Sequence, residues 1–435
     1  MTLPLTFGVE FEMSVVCGWT GLGEIDTTDK RTMSFRPRNP DGKKDWESKY
    51  VYEEMWKPVA RHMAATLRAA GFPANVDNND YTKWDFTSDI SVEPPEAEPG
   101  MVNYVYASIE LRSPAFYFTP ESLNAVEDVL ELLKRTYRIN TNTTTGLHVH
   151  VGDGRKGWPF HMVRNLFTLV WAFESQINSL FPSHRIDGPH TLSMRNYSTF
   201  AIGCTQEIGS HPTPLEGVVT ILSCEKPEDL VREFLPGTIR VATKAMHKPA
   251  ALDAKPTIEF RHHDGTMDGV QTRMWIMTVV GIMEYLRDVQ PAAFTDLLSI
   301  VEHEHWEKRG DGLDDERERE MGPILAESGF TIVDLLQTMG LYEPAMYYKK
   351  RGIHRIVMKP NPWNELLGGY YWLEGPGPES TPPEGDSREA TSASDENARV
   401  LVHGKIKDTA AVLAAADELL GRREKSKSSK EAQAS

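Results

Sequence analysis

GLHVHVG, residues Gly146–Gly152, is a segment in which leucine and valine alternate with two histidines and a glycine closes each end. This period-two pattern predicts a β-strand with one apolar and one polar face. His148 and His150 are one pleat apart, so their imidazoles point the same way, roughly 7 Å apart along the strand. On that face the two histidines can share a ligand or a metal ion.

Four further segments alternate in the same way and also carry charged side chains on their polar faces. They are Thr6–Met13, Trp84–Glu93, Tyr104–Arg112 and Thr257–His263. If the five strands share one sheet, their polar faces coincide, because all five apolar faces seek the same core. The ionisable groups on that common face would be Glu10, Glu12, Asp89, Glu110, Arg112, His148, His150, Glu259 and Arg261.

Several carboxylates on one face of a sheet require positive charge nearby. Carboxylates in one concavity repel each other strongly unless cations neutralise them. Arginines supply part of the positive charge, and a divalent metal ion supplies the rest. Oxygen-rich sites suit Mg²⁺, and an imidazole among the donors adds tolerance of Mn²⁺. Phosphoryl transfer is the chemistry that most needs hard cations together with arginines. The structural alternative is an antiparallel sheet whose outer face carries solvated salt bridges.

Charge and composition limit the classes of partner that this protein can bind. The 435 residues carry a net charge of −16, which argues against a surface that grips nucleic acid. No run approaches the about 18 apolar residues of a membrane span, and Met1–Met13 lacks the basic start and apolar core of a signal peptide. Cys17, Cys204 and Cys224 are widely spaced, which fits a reducing compartment. We therefore expect a cytoplasmic protein without nucleic-acid or membrane partners.

Periodicity and composition also predict the remaining elements. Loops are expected over Cys17–Lys44 and Pro182–Pro214, which are rich in turn residues. Residues 374–435 are expected to form a low-complexity linker, a short helix at about 409–423 and a disordered tail. Amphipathic or apolar helices are predicted over Tyr50–Ala70, Glu121–Arg138, Phe160–Leu180, Gly265–Arg287, Ala292–Lys308 and Thr331–Met339.

Taken in order, five motifs resemble those of the putative amidoligase family, which is related to glutamine synthetase and glutamate–cysteine ligase. The resemblance spans roughly residues 5–287. It implies an α+β fold: a curved, mainly antiparallel sheet with helices packed on its convex face, like the catalytic fold of glutamine synthetase. We expect a catalytic domain over residues 1–345, with the motifs within 5–287, and a C-terminal extension over 346–373. The motifs are Phe7–Glu12, Trp84–Ser91, Glu110–Pro114, Gly146–His150, and Thr257–Arg261 followed by Gly265 and Thr266.

The resemblance also implies what the motif residues do. ATP and two or three divalent cations, Mg²⁺ or Mn²⁺, would bind in the concavity of the sheet. Asp89 or Glu110 would take a proton from the amine, a choice that the sequence leaves open. The implied metal ligands are Glu10, Glu12, Glu110, Glu259 and a histidine, His148 or His150. The implied contacts to the nucleotide are His148, His150, Arg261 and, as further candidates, Arg112 and Arg195.

The implied reaction joins a small-molecule or peptide carboxylate to an amine through an acyl phosphate, with conversion of ATP to ADP. Two alternatives stay open. One is a metal-dependent hydrolase, since amidohydrolases also hold zinc with a His-x-His strand, although there the pair usually opens a parallel α/β barrel. Tightly held zinc without ATP dependence would identify that class. The other is a catalytically silent relative that binds nucleotide or peptide.

Overall fold

The computed structural model describes residues 4–19, 29–35, 49–95, 104–154, 157–186, 191, 193–208, 212–234, 241–242, 257–301, 330–352, 356–360 and 370–374. The chain forms two units. The first contains residues 1–157, 241–245 and 251–281, and the second contains residues 158–240, 246–250 and 282–435. The domain boundaries predicted at 345 and 373 stay predictions. The linker, short helix and tail predicted beyond residue 374 lie outside the described residues.

The first unit is built on one ten-stranded open sheet. Its strands are β1 (Thr6–Trp19), β2 (Met33–Phe35), β3 (Ala74–Val76), β4 (Trp84–Thr87), β5 (Tyr104–Arg112), β6 (Phe116–Tyr117), β7 (Ile139–Asn140), β8 (Gly146–Gly152), β9 (Val241–Ala242) and β10 (Thr257–Asp264). The main path runs β3-β4-β5-β1-β8-β10-β9, and β2, β6 and β7 pair with β1. Only the β1–β2 and β3–β4 pairs of this described sheet are parallel. The prediction of a mainly antiparallel sheet is confirmed.

The central strand β1 shows why the sheet forms. Phe7, Val9, Phe11 and Met13 alternate along it and are at most 2% exposed. Each such side chain, removed from water on one face of the sheet, stabilises the fold by about 1.5–3 kcal/mol. The first helix, α1 (Lys49–Ala69), packs against β3, β4 and β5. The apolar faces therefore form the core, which leaves the opposite face of the strands to the polar residues.

The described residues contain eleven further α-helices and a second, two-stranded sheet. In the second unit, β11 (Ile356–Pro360) pairs with β12 (Tyr370–Glu374). The helices are α2 (Pro120–Thr136), α3 (Phe160–Ala172), α4 (Glu174–Asn178), α5 (Met194–Tyr197), α6 (Thr199–Ile208), α7 (Pro214–Ser223), α8 (Pro227–Phe234), α9 (Gly269–Asp288), α10 (Pro291–Leu298), α11 (Ile332–Thr338) and α12 (Tyr342–Arg351).

Some predicted helices and loops differ from the structure. The helix predicted over Phe160–Leu180 is interrupted at Phe173, whose backbone angles of φ −115° and ψ 28° separate α3 from α4. The predicted loop over Pro182–Pro214 contains α5 and α6, and α5 begins at a Ser193 cap that accepts the N–H of Asn196. The predicted loop over Cys17–Lys44 is wrong at two places, because β1 continues to Trp19 and Met33–Phe35 form β2. Residues 20–28 and 36–44 lie outside the described residues.

The strand predicted over Trp84–Glu93 ends at Thr87. Beyond it, Oδ1 of Asp89 accepts hydrogen bonds of 2.7 Å from both the backbone N–H and the hydroxyl of Ser91. Such local side-chain bonds compete with a strand ladder and favour a turn. Ile90, which the strand pattern assigned to the apolar face, is 98% exposed. Asp89 is thus presented from a turn and not from a strand.

No helix among the described residues combines the length and apolar character needed to cross a bilayer. Of the three cysteines, Cys17 and Cys224 are buried and Cys204 is half-buried.

Candidate functional site

Strand register aligns the polar side chains of three neighbouring strands. Glu10 on β1 lies opposite Arg112 on β5 and opposite His148 on β8. One pleat further along β1, Glu12 lies opposite Glu110. Directly opposed residues of neighbouring strands point to the same face of a sheet. The carboxylates of two strands, an arginine and a histidine therefore share one surface.

A first group of candidate metal ligands contains Glu10, His150 and Glu259, whose donor atoms all lie within 4.8 Å of one another. Nε2 of His150 is 3.1 Å from Oε1 of Glu10. Nδ1 of His150 lies 3.2 Å from the hydroxyl of Thr257, which orients the ring so that Nε2 faces the carboxylate. Arg261, two residues beyond Glu259 on β10, forms an ion pair with Oε1 of Glu259.

A second group contains Glu12, Asp89 and Glu110, whose donor atoms also lie within 4.8 Å of one another. Oε2 of Glu12 accepts a 2.6 Å hydrogen bond from the backbone N–H of Gly146, the first residue of β8. Asp89 is fixed by the two bonds from Ser91. The backbone and a local turn therefore hold two of the three carboxylates in place.

His148 lies between the two groups and is 3% exposed. Its Nδ1 is 3.7 Å from Oε2 of Glu10 and 3.5 Å from Oε1 of Glu259, and its Nε2 is 3.5 Å from Oε1 of Glu12. Burial lowers the pKa of His148, although its bond to Glu10 opposes the shift. The neutral imidazole is therefore favoured at this position. Of the two histidines, His150 is the one that falls within a ligand group.

The donor set fits a hard divalent cation. Each group offers three side chains, mostly carboxylates, and such oxygen-rich sets suit Mg²⁺ or Mn²⁺. Nε2 of His150 is buried and makes no hydrogen bond with a described residue, despite its closeness to Glu10. An imidazole nitrogen and a carboxylate oxygen that face each other in this way could serve as two ligands of one ion.

Arg112 is held by neighbouring side chains of the first unit. Its Nη2 donates to Oδ2 of Asp85 at 2.7 Å and its Nη1 donates to Oδ1 of Asn79 at 2.8 Å. Its Nε lies 3.5 Å from Oε1 of Glu110. The guanidinium therefore neutralises two carboxylates beside the second ligand group.

Arg195 belongs to the second unit, on α5. Its Nε donates to the carbonyl oxygen of Trp171 at 2.6 Å, and its Nη2 donates to that of Ala172 at 2.5 Å. The carboxylate of Glu174 accepts the backbone N–H of Arg195 at 3.2 Å. These contacts tie the segment after α4 to the end of α3. The assignment of Arg195 to the nucleotide stays a prediction.

A cavity of about 1540 Å³ lies over the polar face of the sheet in the first unit. Its wall also includes the apolar side chains Phe72, Pro73 and Phe116. Every site residue predicted from the sequence except Arg195 lines it: Glu10, Glu12, Asp89, Glu110, Arg112, His148, His150, Glu259 and Arg261.

Several residues of the site were not predicted from the sequence. Asp85, Asn79 and Thr257 hold Arg112 and His150 in place through the bonds described above. Asp85 shares the polar face of the predicted strand with Asp89, so the same alternation carries a signal for it. Alternation gives no such signal for Asn79, which lies in a turn, or for the N–H of Gly146, which is a backbone group.

A comparison with protein-family models matches residues 3–283 to the family described as putative amidoligase enzyme. A search of curated proteins finds no match. The matched segment contains both ligand groups and all ten strands of the sheet. Because the match covers well over half of the 435 residues, the chain belongs to the putative amidoligase family.

Proposed function

We propose that this protein is an ATP-dependent carboxylate–amine ligase that forms an amide bond through an acyl phosphate. Membership of an amidoligase family indicates an amide-bond-forming ligase that acts on small molecules. The proposal adds that the protein uses ATP and two divalent cations, that it is cytoplasmic, and that its sheet has the catalytic fold of glutamine synthetase. Its substrates would be a small-molecule or peptide carboxylate and an amine.

One observation carries the proposal: two three-residue ligand groups, with a buried histidine between them, line a single cavity. A metal-dependent hydrolase does not require an arginine beside its metal ligands. Here Arg261 is paired with Glu259 of the first group and keeps 28% of its side chain exposed. An arginine fork next to hard cations is the arrangement that neutralises a transferring phosphoryl group.

Glu10, His150 and Glu259 would hold one cation, and Glu12, Asp89 and Glu110 the other. When bound, the cations supply charge neutralisation for the phosphates of ATP. The cavity of about 1540 Å³ exceeds the roughly 300–1,000 Å³ typical of a site for one small ligand. That volume supports binding of ATP and a second substrate at the same time.

In the first step an oxygen of the substrate carboxylate attacks the γ-phosphorus. The bond from the γ-phosphorus to the bridging oxygen breaks, which leaves an acyl phosphate and ADP. Arg261 would contact the γ-phosphate and stabilise its charge as the bond breaks. The buried and neutral His148 would add no positive charge, so it would serve as a hydrogen-bond partner between the two groups.

In the second step the amine nitrogen attacks the acyl carbon, the carbon–oxygen bond to phosphate breaks, and inorganic phosphate leaves. The amine loses one proton in this step, and a carboxylate must accept it. Asp89 and Glu110 remain the two candidates, and both line the cavity. The work of the protein would be charge neutralisation and alignment of the two substrates.

The proposal is tested by measuring ADP release with Mg²⁺ and ATP against pooled amino acids, polyamines and peptides. We expect ADP, phosphate and an amide product in equal amounts, identified by mass spectrometry as the sum of two substrates minus water. Tightly bound zinc and turnover without ATP would favour a hydrolase instead. Nucleotide binding with no ADP release from any pool would favour a silent relative.

A further inference from the structure

A loop at the edge of the sheet forms part of the cavity wall. It runs from Asp77 to Lys83 between β3 and β4, and we refer to it as the β3–β4 loop. Four strand spacings separate β4 from β10, which carries Arg261, so the two lie about 19 Å apart across the sheet. The loop residues that line the cavity are Asn79, Asp80, Tyr81, Thr82 and Lys83.

The buried carboxylate of Asp85 holds the first half of this loop. It is 3% exposed and accepts the backbone N–H of Asn78 at 3.2 Å and that of Asn79 at 3.1 Å. The N–H of Asp77 donates to the carbonyl oxygen of Phe86 at 2.9 Å. Three consecutive backbone N–H groups of the loop are therefore satisfied by β4 and its side chain.

Two residues of the loop adopt a conformation that side chains disfavour. Asp77 has φ of 55° and Asn79 has φ of 50°, both in the left-handed region that non-glycine residues enter rarely. Backbone strain of this kind persists only where the surrounding structure holds it, and it concentrates at ligand-binding elements. The hydrogen bonds that Asp85 accepts from Asn78 and Asn79, and the bond from the N–H of Asp77 to Phe86, hold the loop in this conformation.

Arg112 connects the loop to the second ligand group. It donates to the side chain of Asn79 and to Asp85, and its Nε approaches Glu110. A shift of the loop would therefore move Arg112 and change the charge around Glu110. The second half of the loop is fixed separately, because the carbonyl oxygen of Tyr81 accepts the N–H of Ala115 at 2.8 Å.

The charges on this side of the cavity are already paired. Lys83 lies 2.8 Å from Asp80, and Arg112 lies 2.7 Å from Asp85. Their positive charge is therefore already largely neutralised, which disfavours a strongly anionic ligand on this side. Phe72, Pro73, Tyr81 and Phe116 add apolar and aromatic surface to this side of the cavity, next to the polar residues Asn79, Thr82 and Ser113.

We propose that the β3–β4 loop selects the substrate that is not the nucleotide, and that this substrate is an amino acid or amine with an apolar or aromatic side chain. Asp85 and Arg112 act as positioning residues that hold the loop in its strained form. The inference rests on the proposed function, which places the phosphates of ATP near Arg261. Arg261 lies on the same face of the sheet, four strands away from β4.

The positioning role of Asp85 and Arg112 is tested first. Amide hydrogen exchange is measured for the peptide that contains residues 77–83. We expect faster exchange in Asp85→Ala and in Arg112→Lys, which keeps the charge but loses the fork geometry. Glu174→Gln and Arg273→Lys are matched controls. Glu174, the control for Asp85, is a buried carboxylate that accepts backbone N–H groups in the second unit. Arg273, the control for Arg112, forms a bidentate ion pair with Glu127 and does not line the cavity.

The selection is tested with Tyr81→Ala, which removes a ring that is 48% exposed in the cavity wall. With an active substrate pair we expect KM for the apolar substrate to rise about tenfold, as the loss of apolar contacts in a pocket does, and KM for ATP to stay unchanged. Tyr117→Ala is the control, because Tyr117 is 54% exposed but does not line the cavity.

The outcomes separate the two proposals. If the wild-type protein releases no ADP with any pool, the proposed function fails. Even then, the loop is supported as the element that selects the substrate if added apolar and aromatic amino acids slow the hydrogen exchange of the 77–83 peptide and added acidic amino acids do not. Unchanged loop exchange in both Asp85→Ala and Arg112→Lys overturns the positioning role. A Tyr81→Ala effect on KM for ATP alone, or no protection by the apolar pool, overturns the selection.

Discussion

Glu12 accepts a 2.6 Å hydrogen bond from the backbone N–H of Gly146, so the strand that carries both histidines fixes a carboxylate of the first strand. Gly146 follows Thr145, whose carbonyl oxygen accepts the N–H of Gly265 at 2.9 Å. A continuous set of contacts therefore runs from the end of β10 through the start of β8 to the second ligand group.

Glu12→Gln should abolish turnover with little change in melting temperature. The amide has nearly the shape of the carboxylate and can still accept the Gly146 N–H, but it removes a negative charge from the ligand group. Loss of a residue that supports a metal typically costs 10–100-fold, so we expect ADP release to fall by at least about 100-fold.

Glu127→Gln is the control for that variant, since Glu127 pairs with Arg273 at 2.6 Å and does not line the cavity. Its ADP release should match the wild type. Wild-type turnover in Glu12→Gln would remove Glu12 from the site.

Gly265→Ala should weaken cation binding. A Cβ at this position would overlap the hydroxyl and Cβ of Thr145, so Thr145 and the neighbouring Gly146 must shift. Overpacking of this kind typically destabilises by about 1–3 kcal/mol. We expect a lower melting temperature and, in Mn²⁺ titrations, a weaker affinity.

Gly203→Ala offers a matched control within α6, because a Cβ there meets no atom within 4 Å. Alanine in a helix is more favourable than glycine by roughly 0.8–1.0 kcal/mol, so this variant should be as stable as the wild type or more so. An equal loss in both variants would show that the overlap at Thr145 has no special effect.

The stability of the metal-free protein should depend on pH through His148. Its pKa is lowered by burial from the ordinary 6.5, so the unfolded chain takes up a proton that the folded chain does not. The free energy of unfolding should therefore fall as pH drops through 6.5. Urea unfolding above and below that pH, in wild type and His148→Asn, measures this. A slope that is the same in both proteins would contradict it.

Cys17 should be unreactive in the folded protein. Burial raises the pKa of its thiol from 9.0 to about 12, and only the thiolate is a nucleophile. The protonated thiol stabilises the fold up to about pH 9, and this contribution is lost as pH rises towards 12. A thiol reagent should label the half-buried Cys204 first and Cys17 only on unfolding. Rapid labelling of Cys17 under native conditions would contradict its burial.

The sequence was most informative where alternation is regular. Phe7 to Met13 and Leu147 to Val151 alternate strictly, and burial of one face fixes which side chains point to the other. The clustering of Glu10, Glu12, His148 and Glu259 could therefore be predicted without coordinates, because strand register leaves the polar residues no other side.

Tertiary and local contacts determine what the alternation did not predict. Asp89 continues the alternation of Trp84–Glu93, yet its own bonds to Ser91 replace the ladder, and Ile90 turns out to solvent. Phe173 interrupts an apolar pattern that predicts one continuous helix. The β3–β4 loop depends on Asp85, which is separated from Asp77 by a turn whose shape no periodic pattern encodes.

Each of the two ligand groups should hold one cation in the shared cavity, and a count of the bound metal ions checks this without any knowledge of the substrates. Mn²⁺ binding to the purified chain would be counted by electron paramagnetic resonance in the wild type, Glu259→Gln and Glu110→Gln. We predict two bound ions in the wild type and one in each variant, with the remaining ion in a different site. No bound ion in the wild type, or two ions retained in both variants, would contradict the account.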